Sequence, residues 1–185
     1  MPPTSEQSLY SRVMGDAFES LAPHLREFHQ RAPAAATGSF SVIRPRSRLK
    51  GLLGTLAGFP PAGSDVPLAL SVTRQGKVEQ WRRTFGKHPF PSRQWIWRDL
   101  LVEAAGPLAF GLRLAARDKG YTMTTQRVWM LGLPIPLVLA PRALASVVPN
   151  PTGWQAHIVL TFPVLGEMLR YEGNVVITAE RESSP

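Results

Sequence analysis

Between Val66 and Ala179 apolar residues recur at every second position, in short runs cut apart by turn-forming residues. Leu68, Leu70 and Val72 alternate with polar or small neighbours, as do Leu108, Phe110, Leu112 and Leu114, and again Trp154, Ala156, Ile158, Leu160 and Phe162. A period of two is the signature of a strand with one buried face. Gln75-Gly76, Ala105-Gly106-Pro107, Asp118-Lys119-Gly120 and Asn150-Pro151-Thr152-Gly153 are turn signals between such runs. The runs follow one another too closely for helical crossovers, which excludes a doubly wound parallel sheet. Further strands are read at Val78–Phe85, at Gln94–Glu103 as a single strand, at Tyr121–Met130 and at Leu169–Ala179, while Leu137–Val148 reads as either strand or loop. The expected fold is α+β: a curved antiparallel meander sheet or partial β-barrel of about eight or nine strands, because a meander of that length curls rather than staying flat.

The chain in front of this sheet reads differently. Leu9, Val13, Ala17, Phe18, Leu21 and Leu25 recur at helical spacing, Ser8 is placed to cap the start, and Pro23 divides the run into two short helices. Gln30–Gly38 is rich in Ala and Pro and reads as a linker, so residues 1–37 are expected to be a helical segment with a linker. Residues 38–180 would form the sheet, in one domain with that segment, and 181–185 a frayed tail. Phe40 and Val42 open a first strand, and Leu49, Leu52, Leu53 and Leu56 carry the spacing of a short amphipathic helix inserted after it.

Composition then removes function classes. The chain has no cysteine and four unclustered histidines, which excludes thiol nucleophiles and cysteine-held metals and leaves no histidine pair at metal-ligand spacing. No nucleotide-cradling glycine loop, nucleophile elbow or zinc-helix motif is present, and no cofactor is expected. The net charge of +8 comes mainly from scattered arginines, which argues against a nucleic-acid binder. The densest basic run is Arg44, Arg46, Arg48 and Lys50. No basic-then-apolar leader opens the chain and no uninterrupted apolar run approaches the ~20 residues of a membrane helix, so a cytoplasmic location without a membrane span is expected.

Strand parity singles out polar residues on apolar faces. Trp81, Arg83 and Phe85 share a face, as do Tyr121, Met123, Thr125, Arg127 and Trp129. Gln94 goes with Ile96, and Glu103 with Trp95, Trp97 and Leu101. A guanidinium on an apolar face requires a carboxylate, a stacking ring or a ligand. Two readings stay open: a structural lock between such arginines and Glu103, or arginines turned into a cavity to grip a carboxylate, enol or carbonyl. His29 reads as a helix-end or surface histidine, with a proton-transfer role as the sharper alternative.

Dispersed landmarks carry a resemblance. They are Leu25-Arg26-Glu27-Phe28-His29, Trp81-Arg82-Arg83-Thr84-Phe85-Gly86, Phe90-Pro91-Ser92-Arg93-Gln94, Gly132-Leu133-Pro134-Ile135-Pro136 and Leu165-Gly166-Glu167-Met168-Leu169-Arg170-Tyr171. In these the chain resembles the bacterial domain of unknown function 4166 family, over about Leu9 to Ile177. The resemblance implies a stand-alone member of a family that also occurs fused to dehydrogenase-like domains, and hence a redox or biosynthetic enzyme as a partner. It implies no activity.

The leading expectation is therefore a carrier or accessory protein that binds an apolar or amphipathic small molecule in a hydrophobic cavity of the sheet. Trp81, Arg83, Phe85, Gln94, Phe110, Trp129 and Tyr171 would line it, with Arg83 and Arg127 orienting an anionic or carbonyl group. The alternative is a cofactor-independent cyclase or isomerase of secondary metabolism, with Glu103 as base and Arg127 as stabiliser. A second alternative is a basic module that binds anionic surfaces through Arg44–Lys50.

Overall fold

The computed structural model describes residues 7–178. Three short helical segments come first, then eleven antiparallel strands with one helix inserted after the first strand: β1 (Ala34–Ile43), β2 (Gly63–Gln75), β3 (Val78–Phe85), β4 (His88–Trp97), β5 (Leu100–Ala105), β6 (Leu108–Arg117), β7 (Gly120–Met130), β8 (Leu133–Ile135), β9 (Arg142–Asn150), β10 (Gly153–Phe162) and β11 (Gly166–Thr178). From β1 to β7 each strand pairs with the next, β7 pairs on with β9, β9 with β10 and β10 with β11, and β11 returns to pair with β1 from Ala35↔Thr178 to Ile43↔Arg170. Ten strands thus close a barrel, and β8 is an extra strand on the edge of β7. The meander reading holds; the partial sheet of eight or nine strands does not, because Gln94–Glu103 is two strands folded at Arg98-Asp99, and Leu137–Val148 supplies a further strand from Arg142 onward. Arg98 sits at φ 56°, a turn conformation that no glycine announces.

The strand β1 begins at Ala34, inside the expected linker, so the boundary at 37 moves forward. Ala34 and Ala36 are buried and alternate with less buried neighbours, but alanine gives too weak an apolar signal to mark a strand. The expected tail at 181–185 lies outside the described residues.

In front of the barrel come α1 (Leu9–Met14), a 3-10 turn (Gly15–Ser20) and α2 (Pro23–Gln30). The Ser8 hydroxyl accepts from the Ser11 amide at 3.0 Å, the expected cap, and Pro23 starts α2 where its missing N–H is harmless. These helices close one pole. The Ala22 amide donates to the Lys119 carbonyl in the β6–β7 turn, and His24 Nε2 to the Gly153 carbonyl at 2.8 Å. Leu9, Tyr10, Phe18, Leu25 and Phe28 join one continuous core with Phe40, Trp81, Phe85, Leu101 and Trp154. Side chains from about eight strands fill a barrel. Ten strands enclose a surplus, which the helical plug and a cavity divide between them.

The opposite pole carries α3 (Arg48–Leu56), the turns Gly86-Lys87 and Gly106-Pro107, the connection 131–141 and the turn 163–165. The insert is a helix, as its spacing predicts. Its leucines nevertheless face outward, and Gly51 and Gly54 lie toward Arg44. The Arg44 Nη2 donates to the Gly51 carbonyl at 2.6 Å and would meet a Cβ at position 54 at 2.6 Å, so a larger residue there would have to displace the Arg44 tip. No described helix is long and apolar enough to cross a membrane.

Candidate functional site

Inside the barrel lies a cavity of about 120 Å³. Most of its wall is apolar: Leu68, Leu70, Met123, Val147, Trp154 and Val175 belong to it. One side is polar, and it is built by three neighbouring strands. Arg83 on β3, Ser92 and Gln94 on β4 and Glu103 on β5 all project inward, since Glu103 stands directly opposite Gln94. Arg83 Nη1 donates to Glu103 Oε1 at 2.9 Å and to Ser92 Oγ at 2.8 Å, and Ser92 Oγ donates to Glu103 Oε1 at 2.6 Å. The guanidinium also lies over Trp81, with its central carbon 5.0 Å from the ring centroid.

Burial alone would raise the Glu103 carboxyl, but the Arg83 charge, with hydrogen bonding from Ser92 and Arg83 and the adjoining Gln94 amide, outweighs it and holds Glu103 below the usual carboxylate range. Burial would likewise lower Arg83, and the Glu103 charge raises it instead. The two groups are an ion pair that compensates itself. Gln94 is different. Only 1% exposed, it places its amide beside Glu103 and leaves its side-chain oxygen without a partner. Among the described residues, the side-chain hydrogen bonds of Arg83 all run through Nη1, which leaves Nε and Nη2 as further donors.

Tyrosines and a histidine complete the polar inventory. Burial raises Tyr10 and Tyr121, and pushes Tyr171 up to about 12, so all three are neutral phenols. His29 is not the surface group expected from its place in the sequence. It is buried at the end of α2, stacked on Tyr10 with ring centroids 3.7 Å apart, with Nε2 3.1 Å from the Tyr121 hydroxyl and Nδ1 unpartnered. Burial pushes its pKa down to about 3.

The cavity gathers Trp81, Arg83, Phe85, Gln94, Glu103 and Tyr171. Phe110 is buried on β6 but stands outside the cavity wall. Arg127 and Trp129 are on the outer face, against the parity argument. The reason is a β-bulge: Gly111 pairs with Arg127 and Leu112 with Thr125, so Gln126 is an extra residue on β7. Beyond it the parity flips, Val128 turns inward and Arg127 lies exposed over Trp97, 5.2 Å from the ring centroid. Trp95 and Trp97 also face outward, because the turn at Arg98-Asp99 separates their strand from that of Glu103. Arg127 therefore has no part in the cavity.

Tyr10, Ser92 and Tyr121 were missed as site residues. Ser92 and Tyr121 share parity with Gln94 and Met123, a signal that was present. For Tyr10 the only sign was a large aromatic beside a helix cap. Among the described residues, no group of three or more His, Asp or Glu is placed to hold a metal.

Comparison with known proteins gives a family match. The family model described as a domain of unknown function, DUF4166, covers residues 21–175. No curated protein and no solved structure matches the chain.

Proposed function

We propose that this chain, which belongs to the DUF4166 family, holds a small, mostly apolar molecule inside its barrel, with one carbonyl or hydroxyl group turned to the polar wall. The observation that carries this is Gln94. Leaving a buried polar atom without a partner costs about 1–3 kcal/mol. Gln94 leaves its side-chain oxygen so, while its amide lies beside Glu103, at the edge of a cavity whose remaining walls are mostly apolar. Such walls favour an apolar body over a cluster of waters. The cavity is close to the size of an engineered one, about 150 Å³, that takes up benzene, which sets the scale of the occupant near a single ring. The mutual compensation of Arg83 and Glu103 favours an uncharged group over an anion.

A carrier or accessory role suits this wall better than catalysis. General acid–base work at neutral pH calls for a group that titrates near 7. Here Glu103 is held low, the tyrosines are raised and His29 is pushed far down.

Native mass spectrometry of the purified protein tests the reading. Wild type should carry one equivalent of a small molecule. Ala145→Leu, which fills the cavity from β9, should lose it while keeping or raising the melting temperature of the empty protein. Gln94→Leu should weaken retention by about tenfold or more. Retention unchanged in Ala145→Leu, or a wild-type cavity that holds only water, would refute the proposal. Conversion of the bound molecule on incubation would move the case to the enzyme alternative.

A further inference from the structure

The two poles of the barrel differ in chemistry. The turns at the helix-capped pole present Lys77, Arg98, Asp99, Asp118, Lys119 and Thr152. The opposite pole presents an arc of bare apolar side chains. On α3, Leu49, Leu52, Leu53 and Leu56 are 62, 58, 38 and 76% exposed. Their i, i+3, i+4, i+7 spacing makes them one stripe along the helix. The β10–β11 turn comes next, tied to α3 by Lys50 Nζ donating to the Leu165 carbonyl, and Val164 stands fully out from it. Beyond it the 131–141 connection exposes Leu131, Leu133, Val138 and Leu139.

An amphipathic helix normally turns its apolar stripe to the core. Here Arg44 bonds the Gly51 carbonyl and, with Phe59, packs against Gly54, which holds that side of α3 inward and turns the leucine stripe out. The unpaired charges around it are mostly basic. Arg46, Arg48, Lys87 and Arg142 are exposed and Lys50 half-buried. Of the nearby acids, Glu167 is engaged by Arg170 at 2.6 Å, which leaves Asp65. A second copy of the chain would bring like charges together around the leucines. An anionic surface would not.

We propose that this pole docks on anionic lipid bilayers, with the α3 leucines, Val164 and the 131–139 side chains entering the headgroup boundary and Arg46, Arg48, Lys87 and Arg142 meeting lipid phosphates. Apolar insertion combined with a basic rim is the chemistry of interfacial helices. Each basic group near such a surface adds to the attraction, within a range set by salt. This proposal stands apart from the cavity reading and survives its failure.

Co-sedimentation with vesicles decides it. Wild type should pellet with phosphatidylcholine vesicles containing about one-third phosphatidylserine, and at least ~10-fold less with phosphatidylcholine alone. The preference should shrink when salt rises from ~0.1 to ~0.5 M. Leu49→Ser/Leu52→Ser/Leu56→Ser changes exposed side chains only, so it should keep the wild-type melting temperature and lose binding on the order of 100-fold. Arg46→Glu/Arg48→Glu should abolish the anionic preference. The proposal is overturned if wild type ignores anionic vesicles or if the triple variant binds as wild type does. It is equally overturned if sedimentation velocity finds a dimer that the triple variant dissolves, for then the stripe is a self-association face.

Discussion

A neutral imidazole fits between Tyr10 and Tyr121, whereas an imidazolium there would be a buried charge with no carboxylate of the described residues in contact. Burial lowers His29 to about 3 from an ordinary value near 6.5. Between those values the unfolded chain binds the proton more readily than the folded one, so stability falls as pH drops below about 6.5. The nearest charged neighbours do not reverse this: Arg74, paired with Glu79 at 2.7 Å, places Nη2 3.5 Å from the His29 carbonyl. Glu103, whose pKa is lowered, contributes stability that is lost in the same direction but only below about 4.5, the ordinary value. His29→Phe removes the titration and the hydrogen bond to Tyr121. It should be about 1 kcal/mol less stable than wild type at pH 8 and more stable near pH 5, where the histidine costs about 2 kcal/mol. Urea denaturation across pH 4.5–8 checks this, and parallel curves would disprove it.

At the scale of elements, the decisive features are the places where a strand departs from regularity. The hairpins with glycine turns were legible because alternation and turn chemistry agree there. The bulge at Gln126 was not, since one inserted residue in an apolar-polar pattern leaves no turn signal and reverses everything after it. That single residue places Arg127 outside, although its parity from Met123 sets it inside. The polar wall itself was readable as parity on separate strands. Its assembly was not, because Arg83, Gln94 and Glu103 meet only through cross-strand register. Strand β7 also changes partners along one edge: Tyr121–Thr124 pair with β9, and Val128–Met130 with β8. At the fork Thr125 Oγ1 accepts from the Ala143 amide at 2.8 Å and donates to the Ala143 carbonyl at 2.9 Å, substituting for a ladder pair. Thr125→Val should therefore cost about 1–3 kcal/mol and speed amide exchange at the start of β9, with distant strands unaffected. Exchange that rises evenly throughout would assign the loss elsewhere.

For the whole molecule, the question is whether cap and barrel are one cooperative unit. Leu25 is fully buried in the same core cluster as the inward residues of the strands. Leu25→Ala should lower stability by about 2–5 kcal/mol in a single calorimetric transition. A separate low-temperature transition, with the barrel melting as before, would mean that the helices are an independent lid.

Closure by β1 against β11 has a further consequence, for how such a barrel is joined to other chains. Residue 34 and residue 178 enter and leave the ring on neighbouring strands at one pole, the one the helices cap. Any domain linked before the first strand or after the last is thus tethered on that side. The leucine-studded face then points away from the attachment, as the business end of a module hung by its back.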